Sequence, residues 1–164
     1  DDNLTPEQAV AKAQEEARTA SSSGSDFLPV TFQLPVAACV VRAGADFGLQ
    51  AITCLDTPQF RPRKIAEQFW SGLVSYRAKY HNRIRLVTFN GRGFDLPLLE
   101  MAAFRYGITG RDYFVNSRKR FEGWHIDLMD WLTNFGASRM VGGLNLLSKL
   151  LGKPGKMGVQ GDQV

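Results

Sequence analysis

The alternation of apolar and polar positions divides the chain into a surface helix, a hairpin and a run of alternating helices and strands. Thr5-Pro6-Glu7-Gln8 offers a cap residue, a proline at the first helical position and a glutamine three residues after the cap, which predicts a helix to about Arg18. Its body is mostly alanine and glutamate, so it buries little, and Ser21-Ser22-Ser23-Gly24-Ser25 follows as a flexible linker. Residues 1–25 are thus read as the periphery of a single domain whose core spans 26–164. Leu34 to Arg42 and Leu49 to Leu55, rich in Val, Ile, Ala and Cys and separated by Gly44 to Gly48, predict an antiparallel hairpin. Pro58 and Pro62 then break the chain before a helix from Arg63 to Lys79, where Ile65, Phe69, Leu73, Tyr76 and Tyr80 recur at helical spacing and face a core. A strand from Arg83 to Phe89 leads through a short loop into a helix from Leu96 to Tyr106, closed by Gly107. A polar, basic loop from Arg111 to Gly123 precedes a short helix over Leu128 to Phe135 and another over Gly143 to Leu151, with Leu144, Leu147, Leu150 and Leu151 on its inner face. The order predicts an α/β layer arrangement.

Composition narrows this picture. A chain of 164 residues, 44% hydrophobic and 22% charged, can build a core without disulfides or metal staples. No apolar run reaches the roughly 20 residues of a membrane span, and no signal peptide is visible, so a cytoplasmic location is expected. Cys39 and Cys54 lack metal-ligand spacing and are read as buried free thiols of a reducing compartment. A net charge of +4 and a pI near 9.3 favour a polyanionic partner without identifying one.

Three stretches could carry chemistry. Gly91-x-Gly93 between a strand and a helix resembles the start of a phosphate loop, but the third glycine and the Gly-Lys-Ser/Thr are missing. Asp95 also puts negative charge where a pyrophosphate would sit, which excludes a nucleotide fingerprint. Asp95 itself reads in two ways, as an N-cap helped by Pro97 or as a carboxylate at a strand's carboxyl end that ligates a hard divalent cation; spacing alone leaves both open. His125-x-Asp127-x-x-Asp130 looks like a metal set, yet Asp127 capping the next helix, Asp130 favouring its dipole and a hydrogen-bonded His125 account for it. Arg111, Arg118, Lys119 and Arg120 alternate with Tyr113, Phe114, Phe121 and Trp124, offering cations for phosphates and aromatic faces for bases, although a solvated loop pinned by a few aromatics has the same pattern; the overall charge favours nucleic-acid contact.

Thr88-Phe89-Asn90-Gly91-Arg92-Gly93-Phe94-Asp95-Leu96-Pro97-Leu98-Leu99 resembles the second exonuclease motif of the predicted 3′-to-5′ exonucleases related to the proofreading domain of family B DNA polymerases. His125-Ile126-Asp127-Leu128-Met129-Asp130, Leu-Gly-Lys-Pro-Gly-Lys at 151 to 156 and Gly161-Asp162-Gln163-Val164 are similar to the same group. The resemblance covers the chain from about Pro35 onward. It implies a ribonuclease H-like fold, a mixed central sheet flanked by helices, in which four acidic residues hold two Mg²⁺ or Mn²⁺ ions for hydrolysis at nucleic-acid 3′ ends, with single-stranded DNA favoured over RNA. By that resemblance Asp95 is the catalytic, metal-binding carboxylate, and Asn90 and Phe94 help place the terminal nucleotide. Arg118, Lys119 and Arg120 are the expected backbone contacts.

The family's Asp-x-Glu pair and its third motif have no counterpart here, leaving one of four expected ligands. The expectation is an internal piece of an exonuclease domain, lacking the first strand and the last helix and inactive until those segments are supplied. The alternative is a non-catalytic nucleic-acid-binding or scaffolding domain of the same fold.

Overall fold

The computed structural model describes residues 3–22, 24–116 and 123–155, the side chains of Asp112 and Asn116 excepted. Helix α1 (Pro6–Ala20) starts at a reciprocal capping box: Thr5 accepts from the Gln8 N–H, and the Gln8 side chain accepts from the Thr5 N–H. No residue of α1 is buried, as its composition predicts. After a 3₁₀ turn at Val30–Phe32 come β1 (Cys39–Ala43) and β2 (Leu49–Cys54), paired antiparallel, then α2 (Pro62–Lys79). Next are β3 (Leu86–Thr88), α3 (Asp95–Tyr106), α4 (Arg111–Asn116), β4 (His125–Asp127), α5 (Leu128–Leu132) and α6 (Gly143–Leu150).

The core lies between α2 and α3. Trp70 of α2 is buried, and its indole N–H donates to the Leu99 carbonyl of α3 at 3.1 Å. Burying a ring of that size contributes on the order of 5 kcal/mol at about 25 cal/mol per Å² of apolar surface. Ile65, Ala66, Leu96, Leu99, Ala102, Ala103, Tyr113 and Leu55 complete the cluster. The α3 contributors fall three and four residues apart, one stripe of a helix. Gly107, at φ 67°, ends α3 in the left-handed conformation that a residue without Cβ adopts freely. Entry to α2 is fixed by Asp56, which accepts from the Arg61 backbone N–H and from its guanidinium in two further bonds of 2.6 and 2.8 Å.

The expected α/β class is observed, but among the described residues the expected central sheet is not. The strands form two separate pairs, β1–β2 antiparallel and β3–β4 parallel. The hairpin begins later than its composition implies: Leu34 to Ala38 is not strand, since Pro35 has no N–H for a ladder. Part of the expected loop from Arg111 is helix α4, and its aromatics belong to the core: Tyr113 is buried against Trp70, and Phe114 stacks on Trp70 and Phe104. Leu144, Leu150 and Leu151 of the last helix, expected inside, are exposed. In the α2 stripe Tyr76 and Tyr80 are also exposed, while the inward face runs through Ala66 and Trp70.

The two cysteines, expected as buried free thiols, are exposed and joined by a disulfide. The register brings them together. Cys39 and Cys54 stand directly opposite one another with Cα atoms 4.2 Å apart, the close spacing of a non-hydrogen-bonded antiparallel pair. Among the described residues no helix is long and apolar enough to cross a membrane.

Candidate active site at the carboxyl ends of the parallel strands

Parallel pairing sets Thr88 beside Asp127, so β3 and β4 end at the same edge. In parallel α/β arrangements that edge is where side chains of different elements converge. Asp127 is 3% exposed there and its carboxylate is fully engaged. Oδ1 accepts from the Asn90 N–H at 2.7 Å and the Met129 N–H at 3.0 Å, and Oδ2 accepts from the Arg92 N–H at 2.8 Å. One bond caps α5, as the sequence predicts; the other two clamp the loop after β3, which local pattern could not reveal.

The clamp dictates the loop's residues. Asn90 sits at φ 60°, a left-handed conformation that asparagine tolerates better than most residues. A Cβ on Gly91 would lie 2.5 Å from the Thr88 side chain, and one on Gly93 would lie 2.7 Å from Asn90 Oδ1. The glycines are therefore there for space. Arg92 reaches back across β4, donating to the His125 carbonyl at 3.0 Å and pairing with Asp130 at 3.6 Å. His125 is buried and shares hydrogen bonds with Thr88 Oγ1 at 2.8 Å and Tyr113 Oη at 3.4 Å. Burial, reinforced by the Arg92 charge and opposed by Asp127 and Asp130, lowers its pKa to about 4, so the ring is neutral at pH 7.

Asp95 is placed differently. Phe94 occupies the N-cap position of α3, and no side chain there makes a capping bond, so the capping account of Asp95 fails. Asp95 is the first residue of the helix, exposed, and among the described residues its carboxylate has only its own backbone N–H as a hydrogen-bonding partner. Partial desolvation raises its pKa above the usual carboxylate value; its N–H opposes the rise and the Asp127 charge adds to it. A carboxylate held in that state gains from an added cation more than a solvated one does.

Phe94 stands beside this acid, its ring 5.5 Å from that of Phe27, which the chain brings in from the segment before the 3₁₀ turn. Nothing in the local pattern of Phe27 signals this; it follows from packing of the Val30–Phe32 turn against α3, where Arg105 donates to the Thr31 carbonyl at 3.4 Å. Asn90, Phe94 and Asp95 thus share one loop and helix start. Arg118, Lys119 and Arg120 lie outside the described residues. Among the described residues no group of three or more His, Cys, Asp or Glu is placed to hold a metal. With Asp127 committed to three N–H groups, these residues do not by themselves fit a two-ion centre.

Fold and site together define an α/β chain that presents an exposed carboxylate at the carboxyl edge of a parallel strand pair. The chain belongs to the family described as predicted 3′-5′ exonuclease related to the exonuclease domain of PolB, whose model matches residues 25–164. That description implies a nucleic-acid substrate. Neither the curated proteins nor the solved structures yield a match.

Proposed function

We propose that this chain forms part of a ribonuclease H-like 3′-5′ exonuclease acting on single-stranded nucleic acid, DNA in preference to RNA, with Asp95 as its catalytic carboxylate. The observation that carries this reading is the division of labour between two acids: Asp127 is consumed in holding the loop, while Asp95 is left open at the same edge with a raised pKa. Asn90 and the Phe94 ring flank Asp95 and would seat the terminal nucleotide, the ring by stacking on its base. Neutral His125 and the Arg92–Asp130 pair keep the loop in register and take no part in bond breaking. Mg²⁺ or Mn²⁺, when bound, would neutralise phosphate charge and activate water, and doing so with two ions requires further carboxylates from outside the described residues.

The test is digestion of 5′-labelled single-stranded DNA and RNA by the complete gene product in Mg²⁺. The expected result is a ladder of single-nucleotide losses from the 3′ end, reduced at least about a hundredfold by Asp95→Asn, the scale for removing one electrostatic stabiliser. The variant's melting temperature should be unchanged. No digestion by the wild type, with binding retained, would instead establish a non-catalytic nucleic-acid-binding domain.

A further inference from the structure

The opposite end of the same strand pair carries a second feature. A cleft of about 460 Å³ is lined by Asn82, Arg83, Ile84, Arg85 and Trp124, where β3 and β4 begin. Among the described residues its lining contains two guanidinium groups and no carboxylate. Arg83 and Arg85 are exposed and make no ion pair among the described residues, while Ile84 between them is half-buried. That alternation puts both cations on one side of an extended segment. Arg77 adds a third positive charge, its guanidinium lying 4.5 Å from the Trp124 ring. The Trp124 indole N–H is buried and has no hydrogen-bond partner among the described residues. Arg83 and Arg85, sharing a cleft with an indole, suit a phosphodiester backbone, because guanidinium forks match phosphate oxygens.

We propose that this cleft is a second contact for the nucleic-acid strand, gripping backbone phosphates at the end of β3 opposite Asp95. From Arg85 to Thr88 the strand advances about 10 Å at roughly 3.3 Å per residue, so a chain whose 3′ end lies at Asp95 passes the cleft a few nucleotides upstream. The inference rests on the exonuclease reading for its direction. The charge complementarity stands without it.

The experiment measures binding of fluorescein-labelled oligodeoxythymidine to this chain by anisotropy in EDTA over a range of salt. Arg83→Ala/Arg85→Ala should bind about tenfold more weakly at low salt. The slope of log K against log salt should become shallower by about 1.4, two single-strand phosphate contacts at about 0.7 each. Arg83→Lys/Arg85→Lys should keep most of the slope, and Ile52→Thr on the exposed hairpin face should bind like the wild type. Unchanged affinity and slope in the alanine variant would overturn the proposal. So would full displacement of the oligonucleotide by equimolar inorganic phosphate, which would mark a small-anion site. Arginine-dependent binding with no digestion by the complete gene product would sink the exonuclease reading and leave the cleft standing; digestion with arginine-independent binding would do the reverse.

Discussion

At the β3–β4 end a buried carboxylate accepts three backbone N–H groups, whereas the β1–β2 hairpin buries no residue between Cys39 and Cys54 and is tied across by a disulfide. Val41, Phe47, Leu49 and Ile52 of the hairpin are all more than 60% exposed. The two regions use short strands of similar composition to different ends. In the first, the Asp127 carboxylate is taken out of water and paired with three N–H groups, which ties down a loop and is costly to disturb. In the second, ladder hydrogen bonds and one covalent link hold a hairpin that packs Val40 against the core and leaves most of its other apolar side chains in solvent. The polar clamp holds the backbone of the loop that carries Asn90 and leads to Phe94 and Asp95.

Substitutions can break this contrast. Asp127→Ala strands two loop donors and uncaps α5, and should destabilise the chain by about 3–5 kcal/mol in urea denaturation, with faster hydrogen exchange at Asn90 and Arg92. Replacing both cysteines by serine, which opens a link between residues 15 apart, should cost about 2–3 kcal/mol, with exchange rising in the hairpin and unchanged at Asn90. Gly91→Ala pushes a methyl group into Thr88 and should cost about 1–3 kcal/mol while leaving the hairpin untouched. Ile52→Thr on the open hairpin face should fall within about 0.5 kcal/mol of wild type. A cost for Ile52→Thr equal to that of Gly91→Ala would erase the distinction.

Acidity sharpens the same comparison. His125 has a folded-state pKa of about 4 against an ordinary 6.5, so the folded chain binds fewer protons than the unfolded one in that interval. Its contribution is full above pH 6.5 and should decline as pH falls towards 4, visible as a falling melting temperature that His125→Gln flattens. Asp56, held at about 2 by its Arg61 hydrogen bonds, loses its contribution only as pH drops from about 4 towards 2.

Features encoded by neighbours in sequence were legible from the outset. The Thr5–Gln8 capping box, the Gly107 stop, the hairpin turn and the strand-to-helix order each depend on residues within a few positions of one another. Asp127 was readable as a cap for the same reason, but its grip on residues 90 and 92 spans more than thirty positions and arises only once β3 and β4 pair. Phe27 reaching Phe94, Trp70 reaching Leu99 and Cys39 meeting Cys54 are likewise products of packing and register. Asp95 was visible as a residue type in a motif. Its freedom from capping depended on where α3 begins, a boundary that propensity places only to within a residue or two.

The central claim is that Asp95 is an open, cation-seeking carboxylate. Its side-chain ¹³C chemical shift, followed against pH in the complete gene product with and without Mg²⁺, addresses that claim most directly. Without metal the midpoint should lie above the ordinary 3.8, and Mg²⁺ should move it down. A midpoint at or below 3.8 that Mg²⁺ leaves in place would contradict the assignment.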